Sequence, residues 1–107
     1  LGLLSKGYGT VNSASVTTYI AVAGDQLLTN TTTAGITITL PTSAATGDEI
    51  VIVDARGTFN SNNLTINRNG HNINGSGSNL VLSTNGQAIT LVYVDSTRGW
   101  AFKTNTA

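Results

Sequence analysis

The chain has 107 residues, with five Lys and Arg against five Asp and Glu, and a formal net charge of zero. Five scattered cations give no electrostatic footprint for nucleic acid or for an anionic membrane, and no apolar run approaches the ~18 residues that span a bilayer. Cys is absent, so neither a disulfide framework nor a thiolate metal site is available, and the length suits one domain.

Thr (18), Asn (12), Gly (12) and Ser (9) make up nearly half of the chain, yet 39% of it is hydrophobic. Disordered chains pair low hydrophobicity with high net charge, and this chain has neither. Thr suits strands, while Asn and Gly suit turns, so the expectation is an ordered all-β chain. It starts with Leu rather than Met and lacks a charged-then-apolar opening, which reads as a piece of a longer chain rather than a signal peptide.

Residues 1–15 are Gly/Ser-rich without a period and read as a linker, with the β-rich domain over 16–107. Thr17 to Val22 alternates as a strand, Gly24-Asp25 signals a turn, and Gln26 to Thr32 is a weaker strand. Ile36 to Leu40 is the clearest half-buried strand, with Ile36, Ile38 and Leu40 on one face and Thr37 and Thr39 on the other; Pro41 ends it. Glu49 to Asp54 carries Ile50 and Ile52 on one face and Val51 and Val53 on the other, so burial on both faces is predicted.

Leu64 to Asn67 is a further alternating strand. Asn69-Gly70, Asn74-Gly75 and Asn85-Gly86 signal tight hairpin turns, with strands at 71–74 and 80–83 between them. Ala88 to Asp95 is the second two-faced strand, and Trp100 to Lys103 the last. Short strands at this spacing predict antiparallel pairing in a sandwich- or barrel-like fold. Two strands apolar on both faces need a second apolar neighbour, either the rest of this chain or another copy of it, as at obligate homo-oligomer interfaces.

Five carboxylates are present: Asp25, Asp48, Glu49, Asp54 and Asp95. Asp54 and Asp95 both end two-faced strands and read as strand-end or turn caps; the alternative is that they come near each other as a hydrolytic pair. His71 reads as an exposed turn residue, or, around a three-fold axis, as one nitrogen of a three-copy metal site. No Gly-x-Ser-x-Gly elbow is present, and Asn74 to Ser78 lacks the Lys and helix of a phosphate loop. Asn60 to Asn63 has oxygen donors but no carboxylate, a poor calcium set. Asn30, Asn63 and Asn74 open glycosylation sequons of the kind chance produces in such a composition. Trp100 reads as core, or as a platform for sugar stacking. Asn-rich loops suit either glycan hydroxyls or plain turns.

Leu40-Pro41-Thr42, then Gly47 to Asp54, then Asn62 to Gly70, Ile73-Asn74-Gly75, Leu91 to Val94 and Gly99-Trp100 stand in an order that resembles a module of bacteriophage tail fibre and tail spike proteins, often near their C-terminus. The resemblance covers roughly residues 25–103. It implies an intertwined or side-by-side homotrimer in the virion tail, assembled in the bacterial host cytoplasm, with residues 1–15 where a fibre shaft joins. It also implies adsorption to a bacterial surface glycan or outer-membrane receptor, without catalytic residues, cofactor, metal, nucleic acid or membrane insertion. Some fibre tips bind iron through repeated His-x-His motifs, which a chain with one His lacks.

The reading that results is a non-enzymatic trimeric fibre module. Asn60, Asn62, Asn63, Asn69, His71 and Asn72 are the candidate receptor-facing loop residues. Ile50, Ile52, Leu91, Tyr93 and Trp100 are the candidate core and trimer interface. The alternatives are a monomeric carbohydrate-binding β-sandwich and a non-catalytic fragment of a polysaccharide-depolymerising tail spike.

Overall fold

Buried and less buried side chains alternate along the strands of this chain, whose computed structural model describes residues 7–106. In order these are β1 (Tyr8–Asn12), β2 (Thr18–Ile20), β3 (Gln26–Asn30), β4 (Ile36–Thr39), β5 (Glu49–Asp54), β6 (Leu64–Asn67), β7 (Leu80–Leu82), β8 (Ala88–Asp95) and β9 (Gly99–Thr106). No helix forms among the described residues.

Two mixed sheets result. One has the order β1-β3-β5-β8-β9, the other β2-β4-β6-β7. The first six strands alternate between the sheets, so the chain winds in coils. Tyr8 lies beside Gln26, and Gln26 beside Val51, all in parallel. Thr18 lies beside Thr37, and Ile36 beside Leu64, again in parallel. The last strands close the sheets antiparallel: β7 on β6, β8 on β5, and β9 on β8.

The expectation of antiparallel strands therefore holds only for the second half. Alternation along a strand is the same in either direction, so it carries no information about pairing sense. Connection decides it: from β1 to β6 consecutive strands lie in different sheets and each return to the same sheet repeats the direction, whereas β7 and β9 each turn straight back on the strand before and β8 re-enters beside β5 reversed. The expected strand at 71–74 is also absent; Ile73 forms only isolated bridges, to Ser76 and Trp100. β1, by contrast, lies inside the stretch read as linker and buries Val11. Residues 1–6 of that stretch lie outside the described residues.

Between the sheets sit Leu27, Ile36, Ile38, Ile50, Ile52, Phe59, Leu64, Ile66, Ile89, Leu91 and Trp100, all buried. This is a two-layer, sandwich-like core built from the inward face of each strand. β5 and β8 bury only that face. Their outer residues Val51, Val53 and Val92 are half-buried.

Winding sends every connection to one of two opposite rims. On the first rim the loop after β3 meets the loop after β5, where the Thr31 and Thr58 hydroxyls lie 2.6 Å apart. There, too, the Asn60 amide donates to Asn85 Oδ1 at 2.8 Å. On the second rim meet the connections 21–25, 40–48, 68–79 and 96–98, joined by backbone bonds such as Gly24 N to Glu49 O and Gly75 N to Arg98 O, both 2.8 Å.

Candidate functional site

The longest excursion on the second rim is residues 68–79, between β6 and β7. It contains two tight turns. Asn69 (φ 51°) and Gly70 (φ 87°) close the first, with the His71 amide donating to Arg68 O at 3.1 Å. Asn74 (φ 51°) and Gly75 (φ 78°) close the second, with Ser76 N donating to Ile73 O at 2.9 Å. Both are the left-handed turns that Asn-Gly favours, yet neither is by itself a two-residue hairpin loop, because both lie inside the long connection from β6 to its antiparallel partner β7.

Side chains hold this excursion down. Asn69 Nδ2 donates to Leu40 O at 3.0 Å, and Asn72 Nδ2 donates to Thr97 O at 2.8 Å. His71 Nε2 lies 2.7 Å from Thr42 O, so it carries the proton and is occupied. Trp100 N donates to Asn72 O at 2.8 Å, and Asn74 N to Trp100 O at 2.7 Å. Gly99 permits this docking: with φ 71° and a Cβ that would overlap the Asn72 carbonyl, only glycine fits.

Beneath the excursion three rings stack edge to face. His71 and Tyr93 centroids are 5.4 Å apart, as are those of Tyr93 and Trp100. Trp100 is fully buried, and among the described residues its indole N–H has no partner. It is a core residue that anchors the rim, and its ring has no exposed face on which a sugar could stack.

The first rim is organised by Asp54. Its carboxylate accepts the amides of Arg56, Gly57 and Thr58 on Oδ1, and of Phe59 and Gly86 on Oδ2, at 2.9–3.3 Å. Burial raises its pKa, but the amides of Gly86, Phe59, Thr58 and Arg56 outweigh that and hold it below its ordinary 3.8. Asn62 Nδ2 donates to Thr31 O at 2.8 Å, and Asn63 Nδ2 to Phe59 O at 2.6 Å.

The six candidate receptor-facing residues are thus divided: Asn60, Asn62 and Asn63 on one rim, Asn69, His71 and Asn72 on the other. They form no single surface: Asn63 closes its own loop, and the other five fasten a loop to its neighbour. Ile50, Ile52, Leu91, Tyr93 and Trp100 lie between the two sheets of one chain. Asp54 and Asp95 do not approach one another, a correction to the pairing considered from sequence. Antiparallel pairing of β5 with β8 puts them at opposite ends of that ladder: Asp54 N donates to Gln87 O, while Asp95 caps the far turn through Thr97 N and Arg98 N. Among the described residues no group of three His, Asp or Glu side chains could hold a metal ion.

Sequence reasoning passed over Arg68 and Arg98, which flank the second turn of the excursion. Their signal was arithmetic: a neutral chain whose carboxylates sit in turn-capping contexts leaves arginines without acid partners. No protein-family model matches this chain, and no curated protein matches it either. The class defined by the fold is a two-sheet, sandwich-like all-β domain wound in parallel coils.

Proposed function

We propose that this chain is a non-enzymatic structural module of a bacteriophage tail fibre, assembling with two further copies of itself and presenting a surface for adsorption to a bacterial cell. The reading rests on the order of motifs from Leu40 to Trp100 and on one structural observation. The outer face of the five-stranded sheet gathers half-buried apolar residues among polar ones: Leu28 lies beside Val53, Val92 beside Ala101, and Val51 between Gln26 and Thr90. Single apolar residues on a surface need no explanation, but a leucine and three valines gathered half-buried on one sheet face suit a surface that another chain covers.

Chain-to-chain burial there stabilises by about 25 cal/mol per Å² of apolar area, and Glu49 with Lys103, 3.1 Å apart, reaches across β8 on the same sheet beside Val92. This transfers the trimer interface from the inward residues to the outward ones. The test is solution mass by light scattering on a sizing column. Three times the 11.0 kDa chain mass is expected. A single-chain species would overturn the trimer and put a monomeric glycan-binding sandwich in its place.

A further inference from the structure

We infer that the Asn74–Gly77 segment of the second rim, with Arg68 and Arg98 against it, binds an anionic group of a saccharide, a carboxylate or a phosphate. The inference deepens the adhesion reading and rests on it for its biological setting.

Among the described residues every carboxylate is engaged. Asp25 Oδ2 accepts Val22 N at 2.9 Å and the Tyr19 hydroxyl at 3.1 Å. Asp48 accepts Ala45 N at 2.9 Å. Asp54 holds its five amides, Asp95 holds two, and Glu49 pairs with Lys103. Among the described residues neither Arg68 nor Arg98 forms an ion pair, although Asp95 accepts the Arg98 amide at 2.7 Å. Arg68 donates Nη1 to the His71 carbonyl at 3.0 Å, a neutral acceptor. The Arg98 guanidinium has no hydrogen-bond partner among the described residues.

Geometry places both guanidiniums on one short segment. Arg68 Cζ and Nη2 lie 3.8 Å from where a Gly77 Cβ would stand, and Arg98 Nη1 lies 3.5 Å from the corresponding point on Gly75. The two glycines therefore leave guanidinium surface uncovered where any other residue would cover it. The amides of Gly77 and Ser78 donate to nothing among the described residues, and both residues are exposed. This is a donor-rich patch, with the Asn72 side-chain carbonyl oxygen 3.9 Å from the Gly77 Cβ position, on a segment fixed to the core through Ile73 and Trp100. Guanidinium groups match carboxylate and phosphate oxygens in pairs, and a rigid support reduces the ordering cost of binding. The exposed setting implies weak, salt-sensitive binding per chain, which three copies would strengthen by avidity.

The test is titration of isotope-labelled protein with a galacturonate oligosaccharide, with glucose 6-phosphate and with neutral maltotriose, read by amide chemical shifts. The expected result is movement of Gly75, Gly77 and Ser78 with one or both anionic probes and not with maltotriose. The two probes distinguish a uronate from a phosphate. The shifts should diminish between about 0.1 M and 1 M NaCl, as the screening length falls from ~10 Å to ~3 Å. Affinity should fall about tenfold in R68Q/R98Q, the scale of one lost charge-assisted hydrogen bond. R98Q alone, which breaks no internal bond, should already weaken binding; it keeps the test valid if R68Q loosens the excursion. No shift on this segment with either anion, or shifts unchanged in R98Q and in R68Q/R98Q, would overturn the inference. Cell adsorption that survives in the double variant would overturn it too, while leaving the adhesion reading intact; wild-type anion binding without any cell adsorption would sink the adhesion reading alone.

Discussion

The Asp54 carboxylate accepts the Gly86 amide at 2.9 Å, tying the end of β5 to the turn that leads into β8. Four other amides converge on the same group, so one side chain fixes the loop after β5 and the turn before β8 together. Asp54→Ala leaves these amides without a charged acceptor, and stability should fall by about 3 kcal/mol or more. Urea denaturation measures it, and a loss under about 1 kcal/mol would show that water replaces the carboxylate.

The same residue sets an acid limit. Its pKa is lowered on folding, so below the ordinary 3.8 the unfolded chain binds the proton first. The stabilisation is complete above that value and is lost as pH falls through the lower folded value. The Asp54 contribution to melting temperature should therefore not vary with pH near neutrality and should drop in the acid limb. In Asp54→Asn the part of that drop due to this carboxyl should vanish.

Trp100 supports a prediction with two arms. Trp100→Ala removes the largest buried side chain from beneath the excursion and should cost ~3–5 kcal/mol. Trp100→Phe keeps much of the volume and removes an N–H that has no partner, so it should cost about 1–2 kcal/mol. Equal losses in the two variants would mean that the indole N–H contributes a bond after all.

Gly99→Ala meets both a left-handed backbone and the Asn72 carbonyl, whereas Gly47, at φ 94°, has open space around its missing Cβ. The first substitution should cost about 3 kcal/mol or more, and the second the backbone strain of ~1–3 kcal/mol alone. Loss of amide protection across 72–76 in the Gly99 variant, and not in the Gly47 variant, is the accompanying signature.

Val53→Asp separates assembly from folding. Val53 faces outward beside Leu28, so a carboxylate there meets water in a single chain and an apolar surface in an oligomer. The variant should elute as one chain with near wild-type circular dichroism. Retention of the wild-type mass would exclude this face as the interface.

The strands at 36–39, 49–54, 64–67 and 88–95 were legible because each alternates over four or more residues. β1 was not, since Gly9 and Thr10 hide the period and only Val11 is buried. The turns at Asn69-Gly70 and Asn74-Gly75 were legible as local geometry. What they connect was not, because turn chemistry reports dihedral angles and says nothing about which strand lies alongside. The candidate site was legible only as loop composition. Dividing it between two rims required the coil winding, and the arginine pair emerged only once each carboxylate had been followed to its amides.

Successive coils are unequal: Gln26 follows Tyr8 in the five-stranded sheet after a short circuit, and Val51 follows Gln26 after a longer one. The sheets keep register regardless, because the additional residues leave at the rims. Length is therefore constrained along the strands and unconstrained at their ends. A scaffold of this kind can change what its margins meet by insertion and deletion, while the alternating residues that wind it stay as they are.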